Sequence, residues 1–443
     1  MRHRASCQPG YRRRVSQTPP KRPAFDRLRR AAVPASGPVR TLTKSTLTNS
    51  IGGGLYYTLE VIFFTRSVGL PVHLVALGLG IAAVCGLVVS IPAGHLCDRR
   101  DPRFVGAAAV AGEGVAMALF ALVHAFAPFL LLNMLAGAMA GTSSPARSVI
   151  LGRFGQGEER VRVRAYQRAV TNFGMSIGIA LSGVGLALDT RTAYLAMVLG
   201  NAVTFMIAAG YILRLPRQSP QKPLPSARRE PPSVVLGDRR YLLASLLNGL
   251  FEMHFIIQSV ALPLWVIGRT TAPHCWVSVL LLINTTMVIT LQVRLSRGSG
   301  SVPHAARAYR YAGLFLGVAC VLYALTSKID LVVACALLVV AIASHTIGEL
   351  LGSAASWGIS YGMAREELMG QYQGAFALGR RLTRVIGPSL VTILAISEGR
   401  AGWIALAALF VVTGAAFTPL ASSYANSSRT VPTRAGDEPG AFS

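Results

Sequence analysis

Four carboxylates, Glu60, Glu113, Glu252 and Glu349, stand inside long apolar stretches of this 443-residue chain. There an ionised group is costly unless it is paired or faces water. His345 precedes Glu349 by one helical turn, Ser353 follows it by another, and a later stretch carries Arg380, Arg381 and Arg384. A carboxylate, an imidazole and a guanidinium brought together can take up and release a proton or hold a charged ligand. They can equally form a static ion pair between helices, and the residue types leave both readings open. Glu252 shares a stripe with Ser245, Asn248 and Ser259 at helical spacing, a polar face suited to lining a cavity. Glu60 and Glu113 stand alone, each a cavity group or a packing partner, with Glu60 near one end of its stretch.

Enzymatic chemistry finds no comparable support. Gly174–Gly178 and Gly358–Gly362 both spell G-x-S-x-G, but a nucleophile elbow needs a strand–turn–helix context. Both lie in expected helices, where small residues four apart let helices approach closely. No H-E-x-x-H, Walker A or G-x-G-x-x-G element is present, so neither metalloenzyme chemistry nor ATP hydrolysis is expected. The six cysteines form no C-x-x-C pair, which argues against a disulfide framework or a metal site. No cofactor is expected.

The elements that position these groups are membrane spans. Apolar residues make up 52% of the chain and charged residues 14%, with mean hydropathy +0.49. A soluble domain carries about 25% charged residues, so a cytosolic enzyme is excluded, as is a disordered chain. Runs of the roughly 20 residues needed to cross a bilayer lie near 45–65, 73–97, 104–124, 127–150, 166–188 and 192–213. A second six follow near 241–267, 275–293, 311–327, 331–363, 372–396 and 402–422. The expected organisation is a basic tail (1–44), a six-helix bundle (45–213), a Pro/Arg-rich linker (214–240), a second bundle (241–423) and a tail (424–443). Residues 1–44 hold no apolar signal-peptide core. They read as an arm for anionic lipid or as sequence ahead of the true start.

Lys and Arg number 43 against 18 Asp and Glu, a net charge of +25. The excess falls on one side of the spans: the tail, Arg99/Arg100/Arg103, Arg153–Arg164, the linker and Arg294–Arg310. Connections on the other side carry single basic residues such as Arg66, Arg191 and Arg269. This alternation places both termini in the cytoplasm of a plasma-membrane protein and leaves no concentrated face for nucleic acid. The halves also echo each other. Acidic pairs at Glu158 and Glu366 are followed by Tyr166-Gln167 and Tyr372-Gln373, as expected of two parallel repeats.

The connection between the second and third spans reads Gly94-His-Leu-Cys-Asp98-Arg99-Arg-Asp-Pro-Arg103. It resembles the signature G-x-L-a-D-r-x-G-r-[KR] of the major facilitator superfamily, with Asp101 and Pro102 replacing the pattern's Gly and Arg. Gly94 permits close helix approach, and Asp98 is suited to a helix N-terminus or an Arg of the other bundle. Gly174, Gly178, Ser182 and Gly183 resemble the exporter-type fifth-span motif without its Pro, and Asn133 stands where the fourth-span motif carries Arg. The resemblance, to bacterial exporter-like members, implies an all-α fold of twelve transmembrane helices in two bundles rocking about a central site. It implies a latch at Gly94, Asp98, Arg99 and Arg103. It further implies proton-coupled export of an amphipathic small molecule, with uptake or facilitated diffusion of a metabolite as the alternative. The cavity groups are then Glu60, Glu113, Asn248, Glu252, His345, Glu349, Arg381 and Arg384. The partners are the bilayer, the substrate and protons, with no obligate protein partner. A membrane enzyme would need a polar cluster near one surface, and a scaffold would not need carboxylates amid its helices.

Overall fold

Inside hydrocarbon a backbone must satisfy its own N–H and C=O groups, so the apolar runs fold as helices. The computed structural model describes residues 37–57, 59–217 and 234–429. Among them are twelve long helical segments. The first six are α1 (Gly37–Tyr57), α2 (Val72–Arg99), α3 (Pro102–Leu119), α4 (Phe126–Gly152), α5 (Gly157–Leu188) and α6 (Arg191–Leu213). The second six are α7 (Arg239–Arg269), α8 (Trp276–Leu295), α9 (Val302–Leu325), α10 (Leu331–Gly362), α11 (Met369–Thr392) and α12 (Arg400–Arg429). Helices α5 and α10 have 32 residues each, about 48 Å, so both project beyond a hydrocarbon layer of about 30 Å.

Ten of the twelve are apolar enough to cross a membrane by composition; α1 and α11 are the exceptions. In α1 the hydroxyls of Thr41, Thr43 and Thr46 donate to carbonyls four residues back, which lets a polar sequence remain helical in an apolar setting. The helix starts at Gly37, ahead of the expected bundle boundary at 45. Arg40 and Lys44 disguised its first turns, since long basic side chains can reach a membrane surface from within a span. Helix α12 likewise runs past 423 to Arg429. Most of the basic tail (1–36), of the linker (218–233) and of the C-terminal tail (430–443) lies outside the described residues.

Each half closes its own core. In the first, Phe64 meets Phe120 and Phe129 at ring-centroid distances of 5.0 and 4.5 Å. In the second, Trp265 meets Trp403 at 5.6 Å, and Tyr309 stacks on Phe417 at 3.7 Å. Between the halves, α2 lies on α11, and α5 on α8 and α10. Gly94 is pressed against Gly370, so a Cβ at either residue would strike the other's carbonyl.

The first helix of each bundle is interrupted at a corresponding place. Helix α1 stops at Tyr57, and the chain resumes as Glu60–Ile62 and a π turn, Phe63–Ser67. Helix α7 breaks at Glu252 and carries a π turn at Ile257–Ala261. Glu60 and Glu252 thus stand at matching breaks, and such π turns concentrate at functional sites.

Candidate functional site

Glu349 lies on α10 in the second bundle and is 2% exposed. Its ion-pair partner comes from the first bundle: Arg168 Nη2 on α5 reaches Oε1 at 2.5 Å. The other oxygen accepts from Asn284 Nδ2 of α8 at 2.8 Å, and the same nitrogen lies 2.9 Å from Thr346 Oγ1. Arg168 also stands over the Phe255 ring of α7, 5.1 Å from its centroid. A buried carboxylate is therefore held between the bundles by one cation and one amide. Such a pair stays costly to break while both members remain charged.

This corrects the expected partner. Arg381 instead donates to the Ala140 carbonyl of α4 at 3.0 Å, Arg384 is exposed, and Arg380 lines a cavity described below. His345 does not join the ion pair either. It is turned into the second bundle beside His254, ring centroids 5.8 Å apart. One helical turn of spacing put His345 near Glu349 in sequence, but the rotation of α10 points them at different neighbours.

The expected stripe on α7 also divides. Ser245 donates to the Ala375 carbonyl of α11 at 2.9 Å, and Asn248, 1% exposed, accepts from Tyr309 of α9 at 2.6 Å. Asn248 therefore belongs to the interior of the second bundle, not to a cavity face. Glu252 remains half-buried at the α7 break, and Glu60 stands beside Tyr56 at the α1 break.

The loop after α2 makes the second link between bundles. Gly370 N donates to Asp98 Oδ1 at 2.6 Å and Gln371 N to Oδ2 at 3.0 Å, so Asp98 caps the N-terminus of α11, where the helix dipole favours negative charge. Arg99 is exposed. Arg103 works within its own bundle, its guanidinium bound to Asp101 at 2.8 Å and to the carbonyls of Leu213 at the end of α6 and Leu215 just after it. Asp101, a departure from the family pattern, caps α3 by accepting from Arg103 N at 3.0 Å. Burial acts to raise the Asp101 pKa, but the hydrogen bonds from Arg103 outweigh it and hold the carboxyl below its ordinary value. Asp98→Asn is expected to insert and fold yet slow turnover, because a charge-assisted contact of roughly 1.5–3 kcal/mol is weakened. Transport rates on matched amounts of inserted protein check this; a wild-type rate would reduce Asp98 to a turn residue.

Further bonds between the bundles lie at this same end, here termed the latch end. Ser90 donates to the Gly374 carbonyl at 3.1 Å, and Tyr361 donates to the Ser148 carbonyl at 2.7 Å while accepting from Arg164. Ser148 and Arg164 also line a cavity of about 220 Å³ that includes Arg147 and Glu113 of the first bundle and Arg380 of the second. Glu113 accepts from Ser143 at 2.7 Å, and Arg147 donates to Thr46 at 2.7 Å.

Arg147, Arg164, Arg168, Asn284 and Tyr361 escaped the sequence reading. The signal for Arg168 was weak: it stands two residues into the expected span 166–188, where a basic residue reads as a surface anchor.

A family model described as Major Facilitator Superfamily matches residues 45–388. Among solved structures, the human organic anion transporter MFSD10 (TETRAN) is similar at TM-score 0.62 and 17% identity, covering 86% of this chain and 98% of that one. A bacterial homologue of the iron transporter ferroportin, in an outward-facing state, gives TM-score 0.67 at 12% identity, covering 88% and 99%. The E. coli fucose:proton symporter FucP gives 0.62 at 13%, covering 87% and 98%.

Proposed function

The chain belongs to the major facilitator superfamily, and on that premise we propose that this multi-pass membrane transporter exports an amphipathic small molecule in exchange for protons. The observation that carries the reading is the Arg168–Glu349 pair, a titratable contact between two bundles that each own a core. The latch end carries the Arg-rich connections and therefore faces the cytoplasm. The bundles are joined at that end by Asp98, Ser90 and Tyr361, with the Arg168–Glu349 pair further along the seam, which supports reading this arrangement as outward-facing. A proton arriving from outside neutralises Glu349 and frees Arg168. The seam then parts, and the cavity opens inward. Loss of the proton to the cytoplasm restores the pair and the closed seam. Export, rather than uptake, is supported by the exporter-like small residues of α5, where Gly174 and Gly178 sit against Ser50 and Gly54 of α1.

The test is purified protein in liposomes with an imposed pH gradient and a panel of labelled amphipathic compounds. Uphill movement of a compound opposite to the proton flow supports the reading, and movement with the protons would turn it to uptake. Orientation has its own check. Cysteines replacing the exposed Gln156, Thr190 and Thr271 are expected to divide, the last two reacting with an impermeant reagent in intact cells and the first only after permeabilisation. Reaction of Gln156→Cys from outside would invert the topology.

A further inference from the structure

The latch-end cavity carries more positive charge than its own carboxylate can offset. Arg147, Arg164 and Arg380 line it with a single acid, Glu113. Among the described residues none of the three arginines forms an ion pair with a carboxylate. Arg147 donates to the Thr46 hydroxyl and Arg164 to the Tyr361 hydroxyl, both neutral. Two positive charges are left without a carboxylate in a partly enclosed space, where an uncompensated charge is expensive. A second feature points into the same space. The side-chain oxygen of Asn49, which also lines the cavity, is buried and has no hydrogen-bond donor among the described residues, and an orphaned buried acceptor is costly unless something supplies one. Guanidinium groups seeking an acceptor beside an amide oxygen seeking a donor describe an acidic head that also bears a hydroxyl or a bound water.

We propose that this cavity binds the acidic head of an organic anion, so that the exported compound is an amphipathic organic acid; the substrate assignment rests on the transport reading above. At about 220 Å³ the space is smaller than the roughly 300–1,000 Å³ of pockets that enclose whole drug-sized ligands. It takes the head and leaves the apolar body in the space between the bundles. The first bundle contributes lining from α1, α3, α4, α5 and α6, and Arg380 comes from α11 of the second. Parting the latch end moves Arg380 relative to Arg147, so affinity for the anion differs between the two arrangements. Binding is thereby tied to which side is open.

The experiment uses the full-length purified protein and benzoate as the anion, with benzamide as its neutral counterpart at equal ionic strength. Thermal unfolding followed by tryptophan fluorescence is expected to shift upward and saturably with benzoate and not with benzamide. Arg380→Gln and Arg147→Gln each raise the half-saturating benzoate concentration by about tenfold or more, and Arg380→Lys retains most of the response. Benzamide acting as well as benzoate would overturn the proposal, as would a benzoate response untouched by both glutamine variants. Uphill transport of a neutral compound with no anion response would leave the transporter reading standing and the anion site refuted. An arginine-dependent benzoate response without proton-driven transport of any compound would do the reverse.

Discussion

Glu349→Gln is expected to abolish proton-driven accumulation while exchange of substrate across the membrane continues. The amide keeps the size of the carboxyl and an oxygen for Arg168, so the seam retains a hydrogen bond at the position now held at 2.5 Å. It cannot titrate, so the seam no longer reports which side is acidic. Accumulation under a pH gradient and counterflow without one are measured on the same proteoliposomes. If the variant still concentrates substrate, Glu349 is not the coupling group and its pair with Arg168 is structural. If both modes fail in folded protein, Glu349 belongs to the substrate site.

Arg168→Gln carries the largest expected cost in stability. It strands a carboxylate that is 2% exposed with only Asn284 still donating to it, and removing one partner of a buried pair costs about 3–5 kcal/mol. The unfolding temperature of the purified variant should drop well below that of the parent. Adding Glu349→Gln in the same chain removes the stranded charge and should recover most of the loss, because residues in direct contact are strongly non-additive. A double variant no more stable than Arg168→Gln alone would mean that the arginine matters for some other contact, its place over the Phe255 ring being the first to examine.

These two residues also mark where a one-dimensional reading succeeds and where it stops. Glu349 stands out because a carboxylate in an apolar run needs a physical reason, and periodicity finds the run itself. Its partner does not stand out. Three arginines on α11 lie nearer in sequence than Arg168, and only the packing of α5 against α8 and α10 brings the right one within reach. Asp98 was legible as a group suited to a helix N-terminus, but which helix offers its N-terminus depends on how the bundles meet. Asn248 misled for a related reason. A polar stripe on α7 has two possible audiences, a cavity or a neighbouring helix, and Tyr309 of α9 is the one it meets. The start of α1 was late because Arg40 and Lys44 lower its apparent apolarity, although neither prevents a helix from entering the membrane.

The separateness of the two cores bears on how the chain is made. The apolar residues that close the first bundle fall between Val39 and Leu215, and those that close the second between Val235 and Ala421. The first bundle has therefore received all of its core from the ribosome before the first core residue of the second is synthesised, and domains generally fold as units in that order. What it exposes while it waits is the seam: backbone at Gly94, the Asp98 carboxylate, and Arg168 without its acid. That surface offers little to bury wrongly. Biogenesis thus divides into two short problems of insertion followed by a docking step, and docking is governed by a few polar contacts rather than by the collapse of a common core.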